Sequence, residues 1–176
     1  MQSDKIDLAI VGGGLAGGLI ALAVRNAAPQ LSLGLFEAGE TLGGNHRWSW
    51  FEGDLDARGT KLMQPFGKMQ WAGGNEVRFP AFSRSLKSDY RSLDSRDFDA
   101  TLRSELPQAA ICTGKKVDRI HGGGLTLSSG ERVRSAMVID CRDAVPGEHL
   151  TGGWQVFLGQ NLRTARPHGI ERPVIM

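Results

Sequence analysis

The 176-residue sequence predicts an α/β fold, a βαβ unit of a doubly wound sheet with an inserted β-meander. Three observations predict it. Ile6–Val11 is a near-continuous apolar run of the kind that forms a buried strand. A glycine triplet, Gly12–Gly14, leads into the apolar-rich stretch Leu15–Ala27, which reads as a helix. From Lys116 onward, short β-patterned runs alternate with glycine turns.

The elements follow in order. Leu15–Ala27 is apolar nearly all round, so burial on both sides is expected, and Pro29 stops the helix. Leu31–Phe36 is a second short strand ending at Glu37, which completes strand, glycine turn, helix, strand. Gly39–Gly74 shows little periodicity and is expected to be mainly loop with short helical pieces. Ser95 is placed to cap a helix running to about Leu106, with Phe98 and Leu102 on one face and Pro107 as its stop. The meander comprises Lys116–His121, Leu125–Ser128 and Glu131–Arg134, turning at Gly122–Gly124 and at Ser129-Gly130. Ala136–Cys141 reads as a separate strand returning to the sheet, and Trp154–Gly159 as a strand of a different region. Pro173–Met176 is apolar without a stop signal. An unpaired strand edge there would be a liability, so a longer parent chain is expected.

Composition narrows the function classes. With 40% hydrophobic and 23% charged residues the chain is an ordinary soluble globular protein. A net charge of +2, with both signs interspersed, argues against nucleic acid. Cys112 and Cys141 form no metal-ligand spacing, and no metal is expected; their use suits a reduced, cytoplasmic compartment. Leu8–Val24 superficially resembles a secretory leader, but Asp4 and Asp7 stand where positive charge belongs and glycines interrupt the run. The run is also too short for a membrane span.

The most informative motif is Gly12-x-Gly14-x-x-Gly17, set between a strand and a helix. In a dinucleotide-binding fold the first glycine makes the tight turn, the second admits the pyrophosphate, and the third lets helix and strand pack closely. The first amides of the helix, at Leu15 and Ala16, then face the phosphates with the positive end of the helix dipole. Glu37 lies 20 residues beyond Gly17, where an acidic side chain accepts hydrogen bonds from ribose hydroxyls. NAD and FAD share this motif. Gly43-Gly44, in "EAGETLGGN", resembles the second glycine pair of the two-dinucleotide-binding-domain flavoproteins, which points to FAD. In that group a residue of the first meander strand, here Val117, contacts adenine through its backbone; plain core packing is the other reading of Val117.

"GGNHRWSWFEGDL" (Gly43–Leu55), "VIDCRD" (Val138–Asp143) and "GGWQVFLGQNLRTARPHGIERPVIM" (Gly152–Met176) complete the pattern. Together they resemble the bacterial lycopene β-cyclases, FAD-binding flavoproteins of carotenoid biosynthesis, over nearly the whole chain. The resemblance implies that this is an N-terminal part of such an enzyme. Residues 1–50 and 110–145 would bind the dinucleotide, and 51–109 with 146–176 would begin the substrate-binding region. Cys141 and Asp143 depart from the family's glycines, and a bulkier group there would crowd the cofactor. Members run to roughly twice this length, with the usual acid/base beyond Met176, so no catalytic residue is assigned here.

The reaction implied is cyclisation of lycopene ends to β-rings, giving γ-carotene and β-carotene. It belongs to the isomerase (intramolecular lyase) class and involves no net redox. A buried carboxylic acid protonates a terminal double bond, and the carbocation closes the ring and loses a proton. Reduced FAD, kept so by NADPH, would stabilise the cation electrostatically. Trp48, Trp50 and Phe51 would present π-faces to it, or the tryptophans are simply core. His46 reads more readily as a loop hydrogen-bonder. His168 faces substrate or merely shapes a turn. Arg142 meets phosphate, or pairs with Asp140 or Glu37. Glu52 and Asp54 are the local acids, read as solvated loop residues. The water-insoluble polyene implies peripheral contact with the inner face of the plasma membrane. Two other functions use the same motifs: an FAD-dependent oxidoreductase of monooxygenase, halogenase or desaturase type, and a non-catalytic flavin-binding fragment. Oligomeric state is not legible.

Overall fold

In the computed structural model, residues 5–142, 158–160 and 162–175 are described. The chain opens with β1 (Ile6–Val11), α1 (Leu15–Ala27) and β2 (Leu33–Phe36), followed by β3 (Arg47–Phe51), α2 (Ala57–Leu62) and β4 (Met69–Trp71). Next come β5 (Asn75–Phe79), β6 (Phe82–Leu86), β7 (Tyr90–Asp94) and α3 (Ser95–Glu105). The remaining elements are β8 (Ile111–Cys112), β9 (Val117–His121), β10 (Gly124–Leu127), β11 (Arg132–Asp140) and β12 (Val174–Ile175).

The main sheet has the order β8-β2-β1-β11-β10-β9. Its centre is parallel: β1 pairs with β2 and with the second half of β11. The strand β1 is apolar because both its faces are covered, and Ala9, Ile10 and Val11 are at most 1% exposed. Each large side chain so buried contributes about 1.5–3 kcal/mol of hydrophobic stabilisation.

The meander differs from the sequence reading in one respect. Glu131–Arg134 and Ala136–Cys141 are not two strands. They merge into β11, which pairs antiparallel with β10 through Arg132–Arg134 and parallel with β1 through Ser135–Asp140. No glycine or proline separates the two halves, so nothing breaks the strand. One element thus carries the antiparallel insertion back into the parallel sheet.

The helix α1 matches its expected span but not its expected burial. Gly17, Gly18, Ala21 and Leu22 are buried, while the opposite side is only half-covered. The sheet lies on one side, and α3 packs over part of the rest. Phe98 and Leu102 of α3 share one core cluster with Ile10, Leu22 and Leu35. The cap of α3 is Asp94, not Ser95: its carboxylate accepts from the amides of Arg96 and Asp97, both at 3.0 Å. The hydrogen bond from the Asp97 amide holds the Asp94 carboxyl below the usual carboxylate range, and the Arg96 and Arg47 guanidinium groups add to the effect.

The supposed loop Gly39–Gly74 contains β3, α2 and β4. In β3 the aromatic run alternates faces, a strand period that its mixture with Arg and Ser obscured. β3, β7 and β4 form a second sheet. A third joins β12, β5 and β6, so the apolar Val174-Ile175 pair is not an open edge on the β5 side: it pairs in parallel with Glu76 and Val77. Most of the strand expected at Trp154–Gly159 lies outside the described residues, as does Asp143.

Candidate functional site

At the C-terminal ends of β1, β2 and β11, where open α/β sheets bind ligands, lies a cavity of about 610 Å³. Gly12, Gly14, Leu15, Ala16, Glu37, Gly43, Gly44, His46, Trp48 and Val117 line it. Gly12 turns the chain out of β1 with φ of 100°, a left-handed conformation that favours glycine. Gly17 does not line the cavity but makes the loop possible. A Cβ there would sit 1.9 Å from the Gly12 carbonyl oxygen, so only glycine lets α1 start this close to the turn. Gly14 is the reverse case: a Cβ on it would meet nothing within 4 Å, because its backbone faces open cavity. Gly14 caps α1 without a side-chain hydrogen bond, and the first turn carries no acidic residue. The amides at that end are therefore left to accept an anion.

Glu37 is fixed before any ligand arrives. Its Oε2 accepts from the Gly13 amide and its Oε1 from the Gly39 amide, both at 2.7 Å. Each carboxylate oxygen retains a second lone pair for a hydroxyl. The Gly43 amide donates to the Gly13 carbonyl at 2.8 Å, which ties the second glycine pair to the first loop. Gly43 and Gly44 both have positive φ, and Asp99 of α3 accepts from the neighbouring Leu42 amide at 2.8 Å. The adjoining β3 is anchored to α3 as well, through the Ser95 amide on the His46 carbonyl. The helix α3 thus braces one wall of the cavity.

Lys115 and Lys116, which sequence reading passed over, also line the cavity, together with Arg142. Their signal was the basic pair directly before the first meander strand. Arg142 pairs with Asp140 rather than with Glu37: Nε and Nη2 reach its two carboxylate oxygens at 2.8 and 2.7 Å. Nη1 also donates to the Val117 carbonyl at 3.1 Å. This pairing holds the Asp140 carboxyl below its ordinary range. Cys141 lines the cavity, and burial pushes its thiol up, so it stays protonated at neutral pH.

The aromatic residues are divided. Trp48 reaches the cavity, 5.1 Å from the Phe98 ring in an edge-on contact and 6.0 Å from the His46 ring. Trp50 lines a second cavity of about 450 Å³, with Leu55, Met63, Lys68 and Arg91. Its indole nitrogen is buried without a partner among the described residues. Phe51 packs on Tyr90 at 5.4 Å and lies on the opposite face of β3. His168 is exposed, accepts from the Ile170 amide at 3.0 Å, and joins neither cavity. Glu52 pairs with Arg91 at 3.1 Å and Asp54 accepts from the Phe51 amide at 2.8 Å; both are exposed. Among the described residues, no group of His, Cys, Asp and Glu side chains is placed to hold a metal.

Comparisons with known proteins give the family and the fold. A lycopene beta-cyclase of Pseudescherichia vulneris is 39% identical over 170 residues, which is 97% of this chain and 44% of that protein. A lycopene beta-cyclase of a Paracoccus species is 39% identical over 171 residues, 97% of this chain and 43% of that one. The chain therefore spans less than half the length of the curated relatives it matches. Among solved structures, 2-methyl-3-hydroxypyridine-5-carboxylic acid oxygenase superposes with a TM-score of 0.57 at 16% identity, over 77% of this chain and 39% of that one. A Photorhabdus luminescens protein described as an FAD-containing monooxygenase gives 0.55 at 15% identity, over 77% and 39%. At such identities the likeness shows the fold alone, a Rossmann-like βαβ domain with its inserted meander. The family described as lycopene cyclase protein matches residues 7–176, and the chain belongs to it.

Proposed function

We propose that this chain is the FAD-binding part of a lycopene β-cyclase. The observation that carries the proposal is one cavity uniting the first glycine loop, Glu37 and the second glycine pair, in a chain matched by the lycopene cyclase family from residue 7 to residue 176. Residues 1–50 and 110–145 bind the dinucleotide, while 51–109 and 146–176 begin the substrate region. Within that second group α3 is the exception, since it packs into the core behind the cavity.

The open face of Gly14 and the α1 amides of Leu15 and Ala16 suit a pyrophosphate. Glu37 suits the ribose diol next to it, and Val117 with Lys115 and Lys116 flanks the adenine end. Gly43 and Gly44 let the chain pass close to the middle of an extended cofactor, and His46 and Trp48 stand at the far end. When bound in its reduced form, FAD supplies negative charge beside a cation on the substrate, and NADPH is the reductant that maintains this form. Trp48 adds a π-face there, worth about 0.5–2 kcal/mol to a desolvated cation. Trp50, Phe51 and His168, which lie off this cavity, serve the substrate only from other walls. Glu37 is the sole carboxylate among the described cavity residues, and its oxygens are committed to amides. The proton donor for ring closure is therefore a different acid. No net redox occurs in the isomerase reaction, which makes β-rings from the ends of lycopene. The substrate reaches a cytoplasmic protein from the inner face of the plasma membrane, by peripheral contact. No helix among the described residues is long and apolar enough to cross a membrane.

A chimera tests the function. Residues 1–176 replace the matching segment of the Pseudescherichia vulneris enzyme, and the product is expressed in lycopene-accumulating cells. The cells are expected to turn from red to orange with β-carotene, while cells expressing the 176-residue chain alone stay red. A chimera that folds, binds FAD and leaves the pigment red would contradict the cyclase reading. Hydroxylated or desaturated products would point instead to the oxidoreductase reading.

A further inference from the structure

The hairpin β5–β6 ends in an apolar tip with no role in either cavity. Phe79 and Phe82 are register partners across the two-residue turn Pro80-Ala81, so both rings project from the same face. They are 55% and 54% exposed, well above what large aromatic side chains ordinarily show. Arg84 shares their face, two residues along β6, and Lys87 follows the strand. Arg78, on the other face, is neutralised by Glu76. From Arg78 to Lys87 the chain holds Arg78, Arg84 and Lys87 and no carboxylate. Arg84 has no ion-pair partner among the described residues.

We infer that the Phe79–Phe82 tip docks on an anionic lipid surface, with its two rings at the headgroup boundary and Arg84 and Lys87 against lipid phosphates. Two adjacent exposed rings backed by unpaired cations match the composition of interfacial anchors. A second copy is the poorer occupant. β6 is the edge strand of its sheet among the described residues, and Arg84 on it, with Lys87 just beyond it, repels the same charges of a second copy. The inference rests on the reading that the substrate resides in a bilayer, and it names the surface that would meet that bilayer.

The test is co-sedimentation of the full 176-residue chain with vesicles of phosphatidylcholine, with and without phosphatidylglycerol. Binding is expected only with the anionic lipid and is released by 0.5 M salt, on the order of the salt at which surface charges are screened within a few ångströms. Phe79→Ser with Phe82→Ser is expected to weaken partition by about tenfold or more. Arg84→Gln with Lys87→Gln should do likewise and remove the preference for phosphatidylglycerol. These side chains are exposed, so thermal unfolding and FAD binding serve as controls that stay at wild-type values. Wild-type chain that ignores anionic vesicles, or double variants that bind as wild type does, would overturn the inference. A wild-type dimer converted to monomer by the phenylalanine changes would assign the tip to a second copy and overturn it equally. Loss of lipid binding bears on the tip, whereas loss of FAD binding by wild type bears on the proposed function, so the two failures are separable.

Discussion

Gly17→Ala is expected to unfold the glycine loop, whereas Gly14→Val leaves the fold intact and abolishes flavin binding. At Gly17 an added Cβ lies 1.9 Å from the Gly12 carbonyl oxygen and 3.3 Å from the Ile10 side chain. The first obstacle is backbone, held by the Gly12 amide on the Phe36 carbonyl at 2.8 Å, so it cannot yield without parting α1 from the sheet. A loss of about 3 kcal/mol or more follows, at the upper end for overpacking, and thermal or urea unfolding would report it. At Gly14 the backbone is extended, with φ of −69° and ψ of −171°, which any residue adopts. The added side chain meets empty space, so stability should stay within about 1 kcal/mol. Its branches would then occupy the cavity face proposed for the pyrophosphate. Equal stability losses in the two variants would show that the loop's geometry has been misread.

Phe98→Ala is expected to cost about 3–5 kcal/mol, the range for deleting a fully buried phenylalanine. Phe98 is 0% exposed and stands where α3 meets α1, β3 and the turn carrying Phe66. It stacks on Phe66 at 5.3 Å and touches Trp48 edge-on at 5.1 Å. A Cβ on Gly18 of α1 would come within 2.4 Å of its ring, and one on Gly43 within 3.0 Å. The cavity left by alanine therefore opens beneath both the second glycine pair and Trp48. FAD affinity should fall together with stability, unlike in Gly14→Val, where affinity falls alone. Chemical denaturation paired with flavin titration would separate the two patterns, and an unfolding midpoint unchanged in Phe98→Ala would contradict this role.

Much of the fold was legible because it rests on local signals. The span of α1 was marked by the glycine loop before it and Pro29 after it, and β1 by a near-continuous apolar run. The cavity end of the parallel sheet was legible from Gly12, Gly14, Glu37 and Gly43-Gly44, because each carries a backbone or charge requirement visible in one dimension. What was missed depends on pairing at a distance. β11 looked like two strands because its partners change midway, from β10 to β1, and no residue along it records the change. β3 was hidden because Trp48 and Trp50 face one side and Phe51 the other, so a cluster in sequence is divided in space. Lys115 and Lys116 reach the cavity only because β8 sets the turn before them beside β2. The capping of α3 shifted by one residue for a local reason. Asp and Ser cap about equally well, so residue type alone could not choose between neighbours; here the Asp94 carboxylate takes both amides.

The most direct measurement is a calorimetric titration of the purified chain with FAD and, separately, with NAD. One FAD per chain is expected, with NAD binding at least about a hundredfold weaker, because on the proposed reading the longer molecule gains contacts from Glu37 past the second glycine pair to Trp48. Glu37→Ala should weaken FAD by the value of a charge-assisted hydrogen bond, about 1.5–3 kcal/mol. Saturable binding of NAD in preference to FAD, or FAD binding that is indifferent to both Gly14→Val and Glu37→Ala, would contradict the assignment of this cavity.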